Sequence, residues 1–391
     1  MPRIARSSVE GQPIDREAMS DSTTRVATGL AATAPPPQVG SVPALEAVSG
    51  PTDALLERFL ADRVGELTEL DPALKVVGTE IAAFVAASGK RLRPAFVYWG
   101  HRATGAAHDD GVLVPAAAVE LLHTFALIHD DIMDRSPQRR GRPAVHEALR
   151  AAHADDGLRG DAPWFGVGGA ILAGDLAFVW ADQLIDSADL PPAALDRARR
   201  VFTALRVEVM AGQYLDLRLA GLRSASEEES RRVALLKSGR YTVTRPLQLG
   251  AAIAGENPEL DGVLCGYGDA VGLAFQLRDD VLSLFGDPTA TGKGAMEDLR
   301  EGKRTLLILQ AFARCSAADR MALEHTLGNP RLNAADADRA RSVIVGCGAL
   351  DAVERVVSEQ HDRACLVLDR VGQPARDALE QLAGFAAFRS V

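Results

Sequence analysis

Three aspartates open the chemistry of this chain. Asp130, Asp131 and Asp134 sit in the string DDIMD, which closes an apolar run beginning near residue 112. On an α-helix, residues four apart lie about 40° apart around the axis, one turn along. Asp130 and Asp134 therefore stack on one face, where their like charges repel unless a cation lies between them. A hard divalent ion such as magnesium fits, because it joins one or two carboxylates to substrate phosphates while keeping waters. Taken alone, the string is equally open to reading as a solvated acidic helix end. A second pair, Asp279-Asp280, closes another apolar run before the break at Gly286-Asp287-Pro288. Two apolar helices that each end in Asp-Asp suit opposite walls of one cavity.

Basic residues stand where helices are expected to end. They are Lys90, Arg91 and Arg93 in GKRLRP, Arg139-Arg140 before Gly141, Lys237 before Ser238-Gly239, and then Lys293 and Lys303. Arginine offers phosphate a planar fork and lysine a compact charge. Singly, each is an ordinary surface cation. No GxxxxGK[ST] string is present, so a P-loop kinase is excluded. His123 lies seven residues before Asp130, about 20° from it on the helical wheel, and so shares its face.

The elements that carry these residues read as helices. The chain has 391 residues, 47% of them hydrophobic, and alternating strand patterns with NG or DG turns are missing. Glycine and proline clusters divide it into about ten helices, which predicts one all-α domain over residues 46–391. Residues 1–45, rich in Ser, Thr, Ala and Pro, read as a disordered extension with no secretory h-region. No apolar run is expected to reach the roughly 20 residues of a membrane span. With 43 basic and 53 acidic side chains the net charge is −10, which argues against a nucleic-acid binder. Any phosphate must be held by local cations or by metal. Cys265, Cys315, Cys347 and Cys365 form no C-x-x-C pair. They are expected as reduced thiols in helical cores of a cytoplasmic protein.

Taken in order, these strings resemble the trans-isoprenyl diphosphate synthases, and among them the geranylgeranyl diphosphate synthases. The resemblance covers residues 50–391 and rests on GKRLRP, ELLHTFALIHDDIMD, RRG, AILAGDLAF, EVMAGQYLDL, KSGRYT, GLAFQLRDD and TGKGAMEDLREGKRT. It implies an all-α bundle around a deep cavity, commonly a homodimer. The implied reaction joins isopentenyl diphosphate head-to-tail to an allylic diphosphate, with about three magnesium ions per site. By position it implies Asp130 and Asp134 as ligands of two ions and Asp279 as main ligand of the third. Asp131 and Asp280 become supporting acids. Lys90, Arg93, His123 and Arg140 match the homoallylic diphosphate pocket. Arg139, Lys237, Lys293 and Lys303 match the allylic clamp. Gln213, Asp216 and Gln276 match polar wall positions, and Ser238 and Tyr241 a kinked helix near the reaction centre.

One position departs from the family. Its second motif reads DDxxD, whereas here the fifth residue is Ser283, and Asp287 lies in the Gly-Asp-Pro break. Two rivals follow: a non-catalytic subunit of another synthase, and a class I terpene cyclase, whose second motif shares the Asp280–Ser283 spacing. Product length is expected to depend on Phe125, Ala126 and Leu122. The resemblance selects Phe125, because an aromatic residue five before an uninserted DDxxD implies a C20 product. The small Ala126 argues against the C15 alternative, a farnesyl diphosphate synthase.

Overall fold

The computed structural model describes residues 42–87, 89–222, 224–286 and 296–390. Ten helices come first: α1 (Pro43–Leu70), α2 (Lys75–Ala86), α3 (Leu92–Ala103), α4 (Leu113–Met133), α5 (Val145–Asp155), α6 (Ala162–Asp186), α7 (Pro192–Ala220), α8 (Glu227–Val233), α9 (Arg245–Ala254) and α10 (Pro258–Phe285). A π-helical stretch, Ala234–Thr244, joins α8 to α9. Six shorter or C-terminal helices follow: α11 (Glu297–Glu301), α12 (Leu306–Arg314), α13 (Ala317–Thr326), α14 (Ala334–Gly346), α15 (Ala349–Val367) and α16 (Ala375–Phe388). The expected all-α class is observed, in more and shorter pieces than the glycine and proline clusters suggested.

Local chemistry sets the long helices. Asp161 and Asn257 cap α6 and α10 by accepting from Trp164 and Leu260 amides, each at 3.1 Å. Pro192 and Pro258 fill first-turn positions that need no amide hydrogen. The Gly-Asp-Pro break works as expected at its first residue: α10 ends at Phe285 and Gly286 is extended. α4 is the central pillar, buried from Pro115 through Phe125 and packed along α6. That burial fixes the direction of its acidic end.

Three features differ from the sequence expectation. Gln138–Arg139 and Arg142–Pro143 form a two-stranded antiparallel hairpin. Its turn residues, Arg140 (φ 53°) and Gly141 (φ 74°), both have positive φ, as a type I′ turn requires. The folded unit also starts before residue 46. Val42, Ala44 and Leu45 are buried, the Ala44 amide donates to Gln381 Oε1 at 3.2 Å, and the Trp99 indole donates to the Ala44 carbonyl at 2.8 Å. The rest of the expected extension, residues 1–41, lies outside the described residues. Finally, all four cysteines are free thiols, but each is partly exposed rather than in a core.

By length and composition, α4 with the residues just before it and α6 could each cross a membrane. That revises the expectation from apolar runs. Within the fold 72% of the α4 window is buried, as in the core helix of a bundle, against 39% for α6.

Candidate active site

A cavity of about 900 Å³ opens where α4, α7, the π-helical stretch and α10 converge. The sequence-selected residues Lys90, Arg93, His123, Phe125, Ala126, Asp130, Arg139, Arg140, Gln213, Asp216, Lys237, Ser238, Tyr241, Gln276, Asp279, Asp280, Ser283 and Lys303 all line it. Leu122, Asp131 and Asp134 are not among its lining residues: Leu122 is buried on the core side of α4, and Asp131 and Asp134 stand behind the lining residues Arg139 and Lys303, which they pair with. Lys293 and Asp287 lie outside the described residues.

The first acidic wall is a lattice of ion pairs. Lys237 Nζ reaches Asp130 at 3.0 Å and Asp216 at 2.7 Å. Gln213 donates to the same Asp130 oxygen at 3.1 Å. Arg139 holds Asp131 at 2.5 Å and Asp130 at 3.4 Å. Lys303 meets Asp134 at 3.0 Å, Glu301 at 2.5 Å and Asp298 at 3.4 Å. Burial opposes the charge of Lys237 and Lys303, but the surrounding carboxylates outweigh it. Both lysines are held above their ordinary pKa and stay protonated.

Glycines let the lattice close. A Cβ on Gly212 of α7 would sit 2.3 Å from the Lys237 amide nitrogen, and one on Gly272 of α10 would sit 2.6 Å from Gly239. The π-helical stretch is thus clamped between α7 and α10, with Lys237, Ser238 and Tyr241 on the cavity. A π-turn spaces its side chains more widely than an α-turn and is frequent at functional sites.

The second wall is different. Asp279 is 45% exposed and paired with Arg389, which also donates to the Phe275 carbonyl and stacks 4.1 Å over its ring. Burial pushes the Asp280 carboxyl up to about 8. Gln276, donating at 2.7 Å, opposes this, and the Asp298 and Asp279 charges add to it. Ser283 turns its hydroxyl to the Asp280 carbonyl of its own helix at 2.9 Å. The missing fifth carboxylate is not replaced within α10.

The cationic pocket lies next to His123. Arg93 donates to Tyr241 Oη at 2.7 Å and to Thr242 at 2.8 Å, and stacks over the Tyr241 ring. Tyr241 Oη meets His123 Nδ1 at 3.1 Å. Burial, then Arg93 and Arg140, hold His123 well below its ordinary pKa, so it is neutral. Lys90 lies 4.8 Å over the Phe385 ring, and Arg140 donates to the Ala87 carbonyl at 3.4 Å. Arg91, at φ 52°, pairs with buried Glu120 at 2.9 Å and with Asp53 at 2.5 Å, anchoring this loop to α4 and α1.

Sequence reasoning missed Arg389, Asp298 and Glu301. Arg389 carries no motif signal, because only folding brings the chain end to α10. Asp298 and Glu301 stand inside the string TGKGAMEDLREGKRT, five and two residues before Lys303, and that close run of acids ahead of a lysine was the available clue.

An all-helical bundle with carboxylates on two helices, lysines and arginines around them and an apolar cavity beneath defines a class of enzymes that grip polyanionic substrates with apolar tails. Residues 75–344 match the polyprenyl synthetase family, and the chain belongs to it. A geranylfarnesyl diphosphate synthase from Aeropyrum pernix is 35% identical over 298 residues, covering 75% of this chain and 86% of that one. A geranylgeranyl diphosphate synthase from Methanosarcina mazei is 31% identical over 306 residues, covering 78% and 87%. The crystal structure of a geranylgeranyl pyrophosphate synthase from Corynebacterium glutamicum, complexed with isoprenyl diphosphate and magnesium, superposes with a TM-score of 0.84. It is 36% identical and covers 90% of this chain and all of that one.

Proposed function

We propose that this protein condenses isopentenyl diphosphate head-to-tail with an allylic diphosphate to give mainly the C20 geranylgeranyl diphosphate. One observation carries the reading: Asp130 and Asp279 line a single cavity that Phe125 also lines, about 7.5 Å along α4 from Asp130. Charge-gripping and tail-measuring groups thus share one space.

The donor set fits magnesium. Asp130, Asp134 and Asp279 offer hard carboxylate oxygens, and each is paired with a cation, Lys237, Lys303 and Arg389 respectively, at a place where a divalent ion would take over the positive charge. Two ions at Asp130 and Asp134 and a third at Asp279 complete the assignment. Bound there, magnesium supplies Lewis-acid neutralisation of a leaving pyrophosphate. Arg139, Lys237 and Lys303 bind the allylic diphosphate; Lys90, Arg93 and Arg140 bind the homoallylic one. Neutral His123 holds Tyr241 in place, while Gln213 and Gln276 orient Asp130 and Asp280. Val209, Leu217, Val233 and Ala234 keep water from the allylic cation.

The intact, fully paired first motif weighs against a non-catalytic subunit. The cyclase reading loses support because Ser283 spends its hydroxyl on a helix carbonyl and Asp280 is buried beside Gln276. A homodimer is supported by exposed Trp164, Leu172 and Val179 on α6 and Val207 and Tyr214 on α7. The free thiols suit a reducing, cytoplasmic setting.

The test incubates purified protein with isopentenyl and farnesyl diphosphates and magnesium, then chromatographs the dephosphorylated products. A linear C20 alcohol is expected. A cyclic hydrocarbon or no product overturns the reading. Phe125→Ala lengthens the product beyond C20, and Ala126→Phe shortens it toward C15.

A further inference from the structure

Phe125 is not held by α4 alone. Its ring meets the Phe178 ring of α6 edge-on, with centroids 5.0 Å apart at 64°, and the His129 ring at 4.8 Å and 65°. Phe178 is not among the residues that line the cavity. Behind it stands Arg206 of α7, with its guanidinium carbon 5.1 Å from the Phe178 centroid and 4.8 Å from that of Phe202. Nη1 of Arg206 reaches both oxygens of Asp182, at 2.7 and 2.8 Å, and Nη2 donates to Thr203 at 3.2 Å.

The spacing makes this a clamp. Phe178 and Asp182 are four residues apart on α6, and Phe202 and Arg206 four apart on α7, so each pair shares a face. The guanidinium lies between two aromatic rings, and its edge is fixed by a carboxylate on the helix that carries Phe178. Such a planar, delocalised cation both stacks and hydrogen-bonds, which an ammonium cannot do in the same way. Arg206 is 18% exposed, so the contact is largely shielded from water.

We propose that Arg206 is a positioning residue for product length, holding Phe178 against Phe125 so that the Phe125 ring stays across the cavity. It touches neither substrate nor reacting atoms. The proposal rests on the reading of Phe125 as the tunnel block and goes beyond it by naming what keeps that block in place. Without the guanidinium, Phe178 can tilt away from Phe125, and Phe125 can rotate into the space it leaves.

The experiment compares wild type, Arg206→Leu, Arg206→Lys and Phe125→Ala. It measures the share of product longer than C20 at equal turnover, initial rates with farnesyl diphosphate, and a melting curve for each. Arg206→Leu is expected to raise the longer fraction at least fivefold while the initial rate stays within twofold. Arg206→Lys is expected to fall between it and wild type. A purely structural role would lower the melting temperature and leave the product ratio alone, and that result overturns the proposal. If Phe125→Ala lengthens the product and Arg206→Leu does not, the clamp fails and the reading of Phe125 stands. If neither changes it, the reading of Phe125 fails and the clamp falls with it. Should Arg206→Leu not fold, Asp182→Asn decides instead. That carboxylate is 44% exposed, its loss releases the guanidinium edge, and unchanged product lengths overturn the proposal.

Discussion

The two acidic helix ends look alike in sequence and behave differently in the fold. At the end of α4, three aspartates meet three cations: Lys237, Arg139 and Lys303. Burial opposes the charge on Lys237 and Lys303, but the carboxylates around them outweigh it and hold both lysines protonated. At the end of α10 only Asp279 is paired, with Arg389. Asp280 is buried against an amide and carries its proton up to about pH 8, and the third carboxylate is absent at Ser283. One wall is a preorganised anionic grip; the other contributes about one charge near neutral pH. The number of acids in a motif is therefore not the number of charges a site offers.

The largest effect expected breaks the strong wall. Asp130→Ala removes the carboxylate shared by Lys237, Gln213 and Arg139. Turnover is expected to fall by about 10²–10³-fold, the scale of losing one preorganised electrostatic group. The melting temperature should hold, because Lys237 keeps Asp216. Turnover within threefold of wild type would show that this wall does not carry the metal.

The weak wall should be more forgiving and improvable. Asp279→Ala is expected to cost about 10–100-fold in apparent magnesium affinity. Ser283→Asp supplies the carboxylate the family pattern has and should tighten that affinity several-fold. Arg389→Ala, which frees Asp279 of its counter-ion, should tighten magnesium binding by a smaller factor in a calorimetric titration without substrate. Equal losses in Asp279→Ala and Ser283→Asp would mean that the Ser283 side of α10 does not face the metal.

Legibility followed the range of the interactions. The helical class, both acidic ends and most cavity-lining cations were readable, because i, i+4 stacking and apolar runs are local signals. The His123 placement also held, since seven residues return a helix to almost the same face. Three things were not local. Arg389 reaches Asp279 only because α16 packs on α10. The Arg140-Gly141 turn hides in a string that lacks asparagine or aspartate. The neutral state of Asp280 depends on burial by distant helices, which no spacing reports. Leu122 failed for a simpler reason: its wheel angle, about −80° from Asp130, already pointed into the core.

The smallest expected effect isolates Asp280. In the unfolded chain an aspartate ionises near pH 4; folded, Asp280 does so only near pH 8. Between those values the native state binds the extra proton, so the slope of unfolding free energy with pH is negative for this group. Its contribution to stability falls as pH rises from about 4 to 8 and then levels off. Asn at this position is nearly isosteric with the protonated acid and can still accept the Gln276 amide. Asp280→Asn should therefore lie nearest wild type at pH 5 and melt at least about 2–4 °C higher at pH 8.5 in chelator-treated buffer, because a single pH unit of this linkage is worth about 1 kcal/mol and that produces such a shift in a larger domain. The metal-free condition matters, because a divalent cation nearby would favour the ionised form and erase the difference. Parallel melting curves for the two proteins from pH 5 to 9 would place the charge on Asp280 at neutral pH and make the second wall as anionic as its sequence suggests.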